Sequence, residues 1–190
     1  MLRMLLIEGI MFLICIGGSL AQQHNFEKQA LLEVVLLVDG SGSVGKENFT
    51  IVKEWLVNQT LIMYKAFGDS AHIEVLQYAY MDNPSDGVSI EDSKQFVIPL
   101  VLGECVNNAS CFTPRIMNMT YLGWTTHTHY ALRRVMEVEF LKSQSFNISK
   151  KAVIIVTDGE ADDGDFLRSW HENTKIRLLR FQSESGMEYL

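Results

Sequence analysis

Residues 34–43 read VVLLVDGSGS, an apolar run followed at once by a carboxylate and two hydroxyls at alternate positions. Such a run predicts a strand buried on both faces of a parallel sheet. Asp39, Ser41 and Ser43 fall just past this strand, and ligands of open α/β sheets bind beyond the carboxyl ends of strands. Because hard cations such as Mg²⁺ prefer oxygen ligands, the stretch predicts a divalent-cation site at the top of a sheet.

The rest of the chain alternates strand-like with helix-like segments. Apolar residues at helical spacing predict helices, and short apolar or alternating runs predict strands. The predicted helices cover 46–67, 114–121 and 128–143, and the predicted strands cover 31–38, 72–80, 96–102, 152–157 and 176–181. Pro99 indicates that its strand lies at a sheet edge. This alternation predicts an α/β domain with a mostly parallel sheet flanked by helices on both faces.

Two further loops add oxygen donors on the same predicted face of the sheet. Thr126 lies in the polar loop 123–128, and Asp158 follows the strand at 152–157. Since hydroxyls are neutral, a cation held by two carboxylates and three hydroxyls would still attract a carboxylate from a partner protein. No Ser/His/Asp or Cys/His arrangement accompanies this set, so we expect an adhesive site and no enzymatic activity.

These motifs resemble the von Willebrand factor type A domain family, as found in integrin α inserted domains, matrilins and several collagens. The family's metal-ion-dependent adhesion site combines DxSxS, a Thr in a loop before a helix, and the Asp of a TDG segment. The matching positions in this chain are Asp39, Ser41, Ser43, Thr126 and Asp158, and the resemblance extends over residues 33–160.

The resemblance implies a Rossmann-like sheet with Mg²⁺ or Mn²⁺ at its top, Ca²⁺ being a further candidate. Ser41, Ser43 and Thr126 would ligate the metal directly, and Asp39 and Asp158 would act largely through water. The implied partner is an extracellular protein, with collagen and other matrix proteins as candidates. The family's last strand and closing helix are missing from the pattern, so we expect an incomplete domain over 31–182 and an irregular tail over 183–190.

The amino terminus predicts a signal peptide over residues 1–21. A basic Arg3, an apolar segment over 9–17 and the small-x-small sequence Ser19-Leu20-Ala21 place the mature start near Gln22. No later segment reaches the roughly 18 apolar residues that span a bilayer, so we expect a secreted chain without membrane insertion. The net charge of −7 argues against a nucleic-acid partner.

The remaining cysteines and the sequons agree with an extracellular location. Cys105 and Cys111 can close a small disulfide loop in an oxidising compartment, and no second ligand pair points to zinc. Asn-x-Ser/Thr sequons predict N-glycosylation at Asn48, Asn58, Asn108, Asn118 and Asn147.

Two other functions compete with adhesion. The chain could be a non-adhesive or dominant-negative isoform whose metal site is unused. It could also bind a nucleotide, because Gly40, Gly42 and Gly45 spell GxGxxG and Lys46 follows. A P-loop needs Ser or Thr after its Lys, however, and Glu47 stands there.

Several polar and aromatic residues near the predicted site have simpler interpretations. His127 and His129, which lie next to Thr126 and could tune the site or reach a ligand, are interpreted as exposed loop histidines. Trp124 is interpreted as either a ligand contact or a packing residue. The acidic cluster that begins at Asp162 is interpreted as the solvated start of a short helix over 162–170.

Overall fold

The computed structural model describes residues 31–80, 96–158 and 162, and the backbone of three further strands at 11–17, 178–182 and 186–189. The strands are β1 (Met11–Gly17), β2 (Leu32–Asp39), β3 (Ala71–Tyr78), β4 (Phe96–Leu100), β5 (Lys150–Thr157), β6 (Leu178–Gln182) and β7 (Gly186–Tyr189). The helices in the described ranges are α1 (Lys46–Phe67), α2 (Ala109–Met117), α3 (Thr128–Arg134) and α4 (Phe140–Lys142). A π-helical turn, Val135–Glu139, joins α3 to α4.

The strands form one sheet in the order β4-β3-β2-β5-β1-β6-β7. β2 pairs in parallel with β3 on one side and with β5 on the other. β1 is antiparallel to both β5 and β6, so β2, β3, β5 and β6 all run in one direction. The prediction of a mostly parallel sheet is confirmed, and β4 occupies the edge that Pro99 indicated.

Helices cover both faces of β2, which explains why its sequence is apolar without alternation. On one face Val34, Leu36 and Val38 pack in a cluster with residues of α1 and α2. On the other face Val35 and Leu37 pack with residues of α3 and α4. The predicted flanking on both faces is therefore confirmed, and α1 has the predicted bounds.

The second helix begins earlier than its sequence pattern predicts. α2 starts at Ala109 because Asn108 caps it, its side-chain oxygen accepting a hydrogen bond from the Cys111 N–H at 3.2 Å. The predicted disulfide between Cys105 and Cys111 is present, and it joins the loop after β4 to the first turn of this helix.

The two ends of the chain differ from the expected pattern. The irregular tail predicted over 183–190 is wrong for Gly186–Tyr189, which forms β7 by pairing antiparallel with the open edge of β6. β1 lies inside the predicted signal peptide and fills the slot between β5 and β6. Removal of a leader that includes β1 would leave the facing edges of β5 and β6 unpaired, and the cleavage itself stays a prediction. The helix predicted over 162–170 lies outside the described residues, except for Asp162.

No helix in the described part of the chain combines the length and apolar character needed to cross a bilayer.

Candidate metal centre

The first loop of the predicted site is a turn directly after β2. The Asp39 carboxylate accepts hydrogen bonds from the Ser41 N–H at 2.9 Å and from the Thr157 hydroxyl at 2.8 Å. The hydroxyl oxygens of Ser41 and Ser43 lie 3.0 Å apart. Asp39 and Ser41 are each 1% exposed, whereas Ser43 is exposed. The turn thus gathers one carboxylate and two hydroxyls in a cluster that opens to solvent at Ser43.

Backbone hydrogen bonds join this turn to the loop that carries Thr126. The Gly42 N–H donates to the Trp124 carbonyl at 2.8 Å, and the Gly123 N–H donates to the Gly40 carbonyl at 2.8 Å. A Cβ on Gly42 would lie 3.4 Å from the Gly123 carbonyl oxygen, which shows how closely the two loops approach. The two loops are therefore held side by side at the carboxyl end of β2.

Side chains beneath and beside the turn reinforce this junction. The Tyr121 hydroxyl donates to the carbonyl of Ser41 at 3.0 Å. Gln77 of β3 lies under Gly40 and donates to the Thr120 carbonyl at 3.0 Å. Tyr121 lies in the loop after α2 and Gln77 lies in β3, so two separate parts of the chain contact the turn and its neighbouring loop.

The third loop reaches the site because β5 runs parallel to β2. Val38 and Val156 are partners in the parallel register, so the two strands end at the same edge of the sheet. Thr157 bonds the Asp39 carboxylate, and Asp158 is near enough for its charge to act on Asp39. Asp162, further along this loop, bonds the backbone of Thr126. The structure thus brings all three predicted loops to one edge.

The electrostatics of the turn favour a cation. Burial raises the pKa of Asp39, hydrogen bonds from Ser41 and Thr157 act against that rise, and the charge of Asp158 adds to it. Across the described ranges, no Lys, Arg or His forms an ion pair with Asp39. A buried carboxylate without a cationic partner, next to two hydroxyls, fits a hard divalent ion that takes oxygen ligands. Within the same ranges no group of three or more His, Cys, Asp or Glu side chains is arranged to hold a metal ion.

The histidines beside Thr126 are not exposed, contrary to the prediction. His127 is 5% and His129 8% exposed, because the start of α3 places both rings among aromatic side chains. The His127 ring centroid lies 5.1 Å from that of Tyr80, and the His129 centroid lies 5.9 Å from that of Tyr130. Burial lowers the pKa of both histidines, which favours their neutral forms.

Three contributors to the site were missed in the sequence. Thr157 stands within the TDG segment, where its hydroxyl next to a strand end was a visible signal. Asp162 was assigned to a solvated helix start, whereas its carboxylate bonds Thr126. Tyr121 carried no signal, because its role depends on how the second loop folds. Trp124, whose role was left open, is half-buried and contacts Gly42 through its main chain.

All five sequon asparagines lie on the surface. Their residues are exposed in every case: Asn48, Asn58, Asn108, Asn118 and Asn147. Asn48 follows the metal turn in the first part of α1, and its side-chain amide donates to the Val44 carbonyl at 2.9 Å.

The class of protein is defined by its α/β fold and by one sheet edge at which a DxSxS turn, a threonine loop and a TDG segment lie together. A family model described as "von Willebrand factor type A domain" matches residues 33–179. The chain belongs to this family.

The chain is also similar to collagens and to a mussel thread protein. It is 33% identical over 137 residues to the human collagen alpha-1(XXI) chain, a match covering 72% of this chain and 12% of the relative. The Xenopus laevis collagen alpha-1(XXI) chain is 28% identical over 190 residues, covering 95% of this chain and 18% of the relative. The chain therefore spans only a small part of these relatives. The solved structure of proximal thread matrix protein 1 from the mussel byssus has a TM-score of 0.47 and 17% identity, covering 65% of this chain and 29% of that chain.

Proposed function

We propose that this protein is a secreted adhesion domain that binds an acidic group of a matrix or cell-surface protein through a divalent cation. The proposed metal residues are Asp39, Ser41, Ser43, Thr126 and Asp158. The observation that carries the proposal is the convergence of three loops on the buried Asp39 carboxylate, which has no cationic partner in the described ranges. Family membership and the collagens among the relatives support an adhesive role.

The proposed metal ligands combine neutral hydroxyls with charged carboxylates, and this combination decides what the site can bind. Mg²⁺, Mn²⁺ or Ca²⁺ would supply positive charge that attracts a carboxylate of the partner. Ser43 is exposed, so a partner can approach the cluster from that side. Asp39 is turned inward by its bonds to Ser41 and Thr157, which keeps its negative charge beneath the hydroxyls. We propose a binding role without catalysis, because the described residues of this arrangement supply the oxygen donors that position a hard cation.

Calorimetric titration of the purified secreted protein with Mg²⁺ and with Mn²⁺ tests the metal site. The wild-type protein should bind at least one ion, and Asp39→Ala should abolish binding while circular dichroism stays unchanged. Asp69→Ala is the matched control, because Asp69 is an exposed aspartate in the turn after α1, before β3 begins. Absence of binding of both ions by the wild-type protein would refute the proposal.

Adhesion is tested separately from metal binding. The wild-type protein should bind immobilised collagen or another matrix protein in Mn²⁺, and EDTA or Asp39→Ala should abolish that binding. A protein that is exported, folded and metal-loaded but binds no matrix component would instead favour the non-adhesive isoform.

We also propose that the chain is exported with N-linked glycans. The disulfide and the exposure of all five sequon asparagines support this. Enzymatic deglycosylation of the protein secreted by cultured cells should lower its mass, and an unchanged mass would refute glycosylation. Asn48→Gln tests whether a glycan close to the metal turn restricts access, since the variant should then bind large ligands more tightly.

A further inference from the structure

Two hydrogen bonds of opposite direction join Asp162 to Thr126. The Thr126 N–H donates to an Asp162 carboxylate oxygen at 2.7 Å, and the Asp162 N–H donates to the Thr126 carbonyl at 2.7 Å. The loop after β5 thereby holds the main chain of Thr126 on both sides of its α-carbon. A carboxylate that accepts from an amide is a charge-assisted bond, roughly twice as strong as a neutral one.

Other contacts fix the neighbours of Thr126 but not Thr126 itself. Thr125 exchanges two backbone hydrogen bonds of 2.9 Å with Tyr80, and α3 begins at Thr128. The only backbone hydrogen bonds described for Thr126 are those to Asp162. Without the Asp162 side chain, the Thr126 N–H would lose its acceptor and this part of the loop would gain freedom.

We propose that Asp162 is a positioning residue for the metal centre: it holds Thr126 in place so that the threonine hydroxyl is preorganised for the cation. This inference rests on the proposed function. Asp162 acts through the amide of Thr126, with its carboxylate engaged there, and is not itself a metal ligand. Outer partners of metal ligands typically change metal affinity by about 10- to 100-fold when they are removed.

Two substitutions separate positioning from direct ligation. Asp162→Ala removes the acceptor and should weaken Mn²⁺ binding about 10-fold in calorimetry. Asp162→Asn keeps an oxygen that can accept from the Thr126 N–H, so its Mn²⁺ affinity should stay within about threefold of wild type. Asp163→Ala removes the same charge one residue along and should leave the affinity unchanged. Wild-type affinity in Asp162→Ala would overturn the proposal, and so would equal losses in Asp162→Ala and Asp162→Asn, which would indicate ligation or a charge effect.

A measurement without metal separates this inference from the proposed function. In metal-free protein, amide hydrogen exchange at Thr126 should be faster in Asp162→Ala than in wild type or Asp162→Asn, while exchange in the core of β2 stays unchanged. Unchanged exchange at Thr126 would overturn the positioning role even if the wild-type protein binds Mn²⁺. Failure of the wild-type protein to bind metal would refute the proposed function instead, and with it the role of Asp162 at a metal centre.

Discussion

Two buried glutamates on one face of the sheet offer a sharp test of the electrostatics. Glu33 of β2 is 0% exposed and Glu74 of β3 is 1% exposed, and both belong to the face that packs against α3. Glu74 accepts one hydrogen bond, from the Leu102 N–H at 3.3 Å, and its other oxygen has no hydrogen-bond partner in the described ranges. Glu33 instead accepts from the hydroxyl of Ser149 at 2.7 Å and pairs with Lys151 at 3.3 Å.

The pKa of Glu74 sets the direction and size of its effect on stability. Burial, helped by the negative charge of Glu139, raises this pKa from 4.5 to about 8. The unfolded chain therefore releases the Glu74 proton at a lower pH than the folded protein does, and stability falls as pH rises from about 4.5 to about 8. Each pH unit within this window costs about 1.4 kcal/mol, so the loss at pH 7 is about 3 kcal/mol relative to acidic solution.

Glu74→Gln removes the titrating group and keeps its shape. We expect the variant to be about 2 kcal/mol more stable than wild type at pH 7, after allowing about 1 kcal/mol for burying an amide without full hydrogen bonding. The measurement is urea-induced unfolding with the disulfide intact, at pH values from 5 to 8. The advantage of the variant should shrink towards pH 5, because ionisation of Glu74 stabilises the unfolded wild-type chain less and less as the pH approaches 4.5.

The matched control is Glu33→Gln, which should act in the opposite direction. Glu33 has a cation and hydroxyl donors, so removing its charge should lower the free energy of unfolding by about 1–3 kcal/mol at pH 7. If Glu74→Gln gave no gain at pH 7 and its pH dependence matched that of wild type, the argument that Glu74 is buried with its proton would be wrong.

Three further measurements address the packing and processing of the chain. A Cβ on Gly40 would lie 2.4 Å from the Gln77 side-chain nitrogen, so Gly40→Ala should cost about 1–3 kcal/mol of unfolding free energy in a urea titration. Replacing both Cys105 and Cys111 by Ser should cost about 2 kcal/mol in the same assay, since the disulfide closes only a short loop of the unfolded chain. Amino-terminal sequencing of the secreted protein should begin near Gln22, and a retained initiator methionine would contradict the signal peptide.

Local patterns predicted the central elements because their causes are local. Each signal lies within one segment: the apolar run of β2 and the helical spacing over Lys46–Phe67 indicate burial, and the proline of β4 lacks a backbone hydrogen-bond donor. The positions of β1 and β7 depend instead on which sheet edges are left open by other strands, and no window of sequence carries that information. The burial of His127 has the same kind of cause, since it depends on where α3 meets the sheet.

The candidate site divides in the same way. The types and spacing of Asp39, Ser41 and Ser43 are set within one turn, so the sequence alone indicated an oxygen-rich cluster. The bonds from Thr157 to Asp39 and from Asp162 to Thr126 join residues that are far apart in the chain. They form only once β5 lies beside β2, and their geometry could not be read from spacing.

The position of the candidate site follows from the path of the chain through the sheet. From β2 the chain passes through α1 to β3 and β4 on one side, and it then returns through α2 and α3 to β5 on the other side of β2. β2 and β5 are adjacent and parallel, so their carboxyl ends meet at one edge, which is where open α/β sheets bind ligands. The loop before α3 crosses the same edge and is fixed there by Gly42 and Asp162. Asp39 is buried at this edge but accepts hydrogen bonds from Ser41 and Thr157, which oppose the rise in its pKa and favour the ionised carboxylate that a cation needs. Glu74, on the face that packs against α3 and α4, accepts one hydrogen bond and retains its proton.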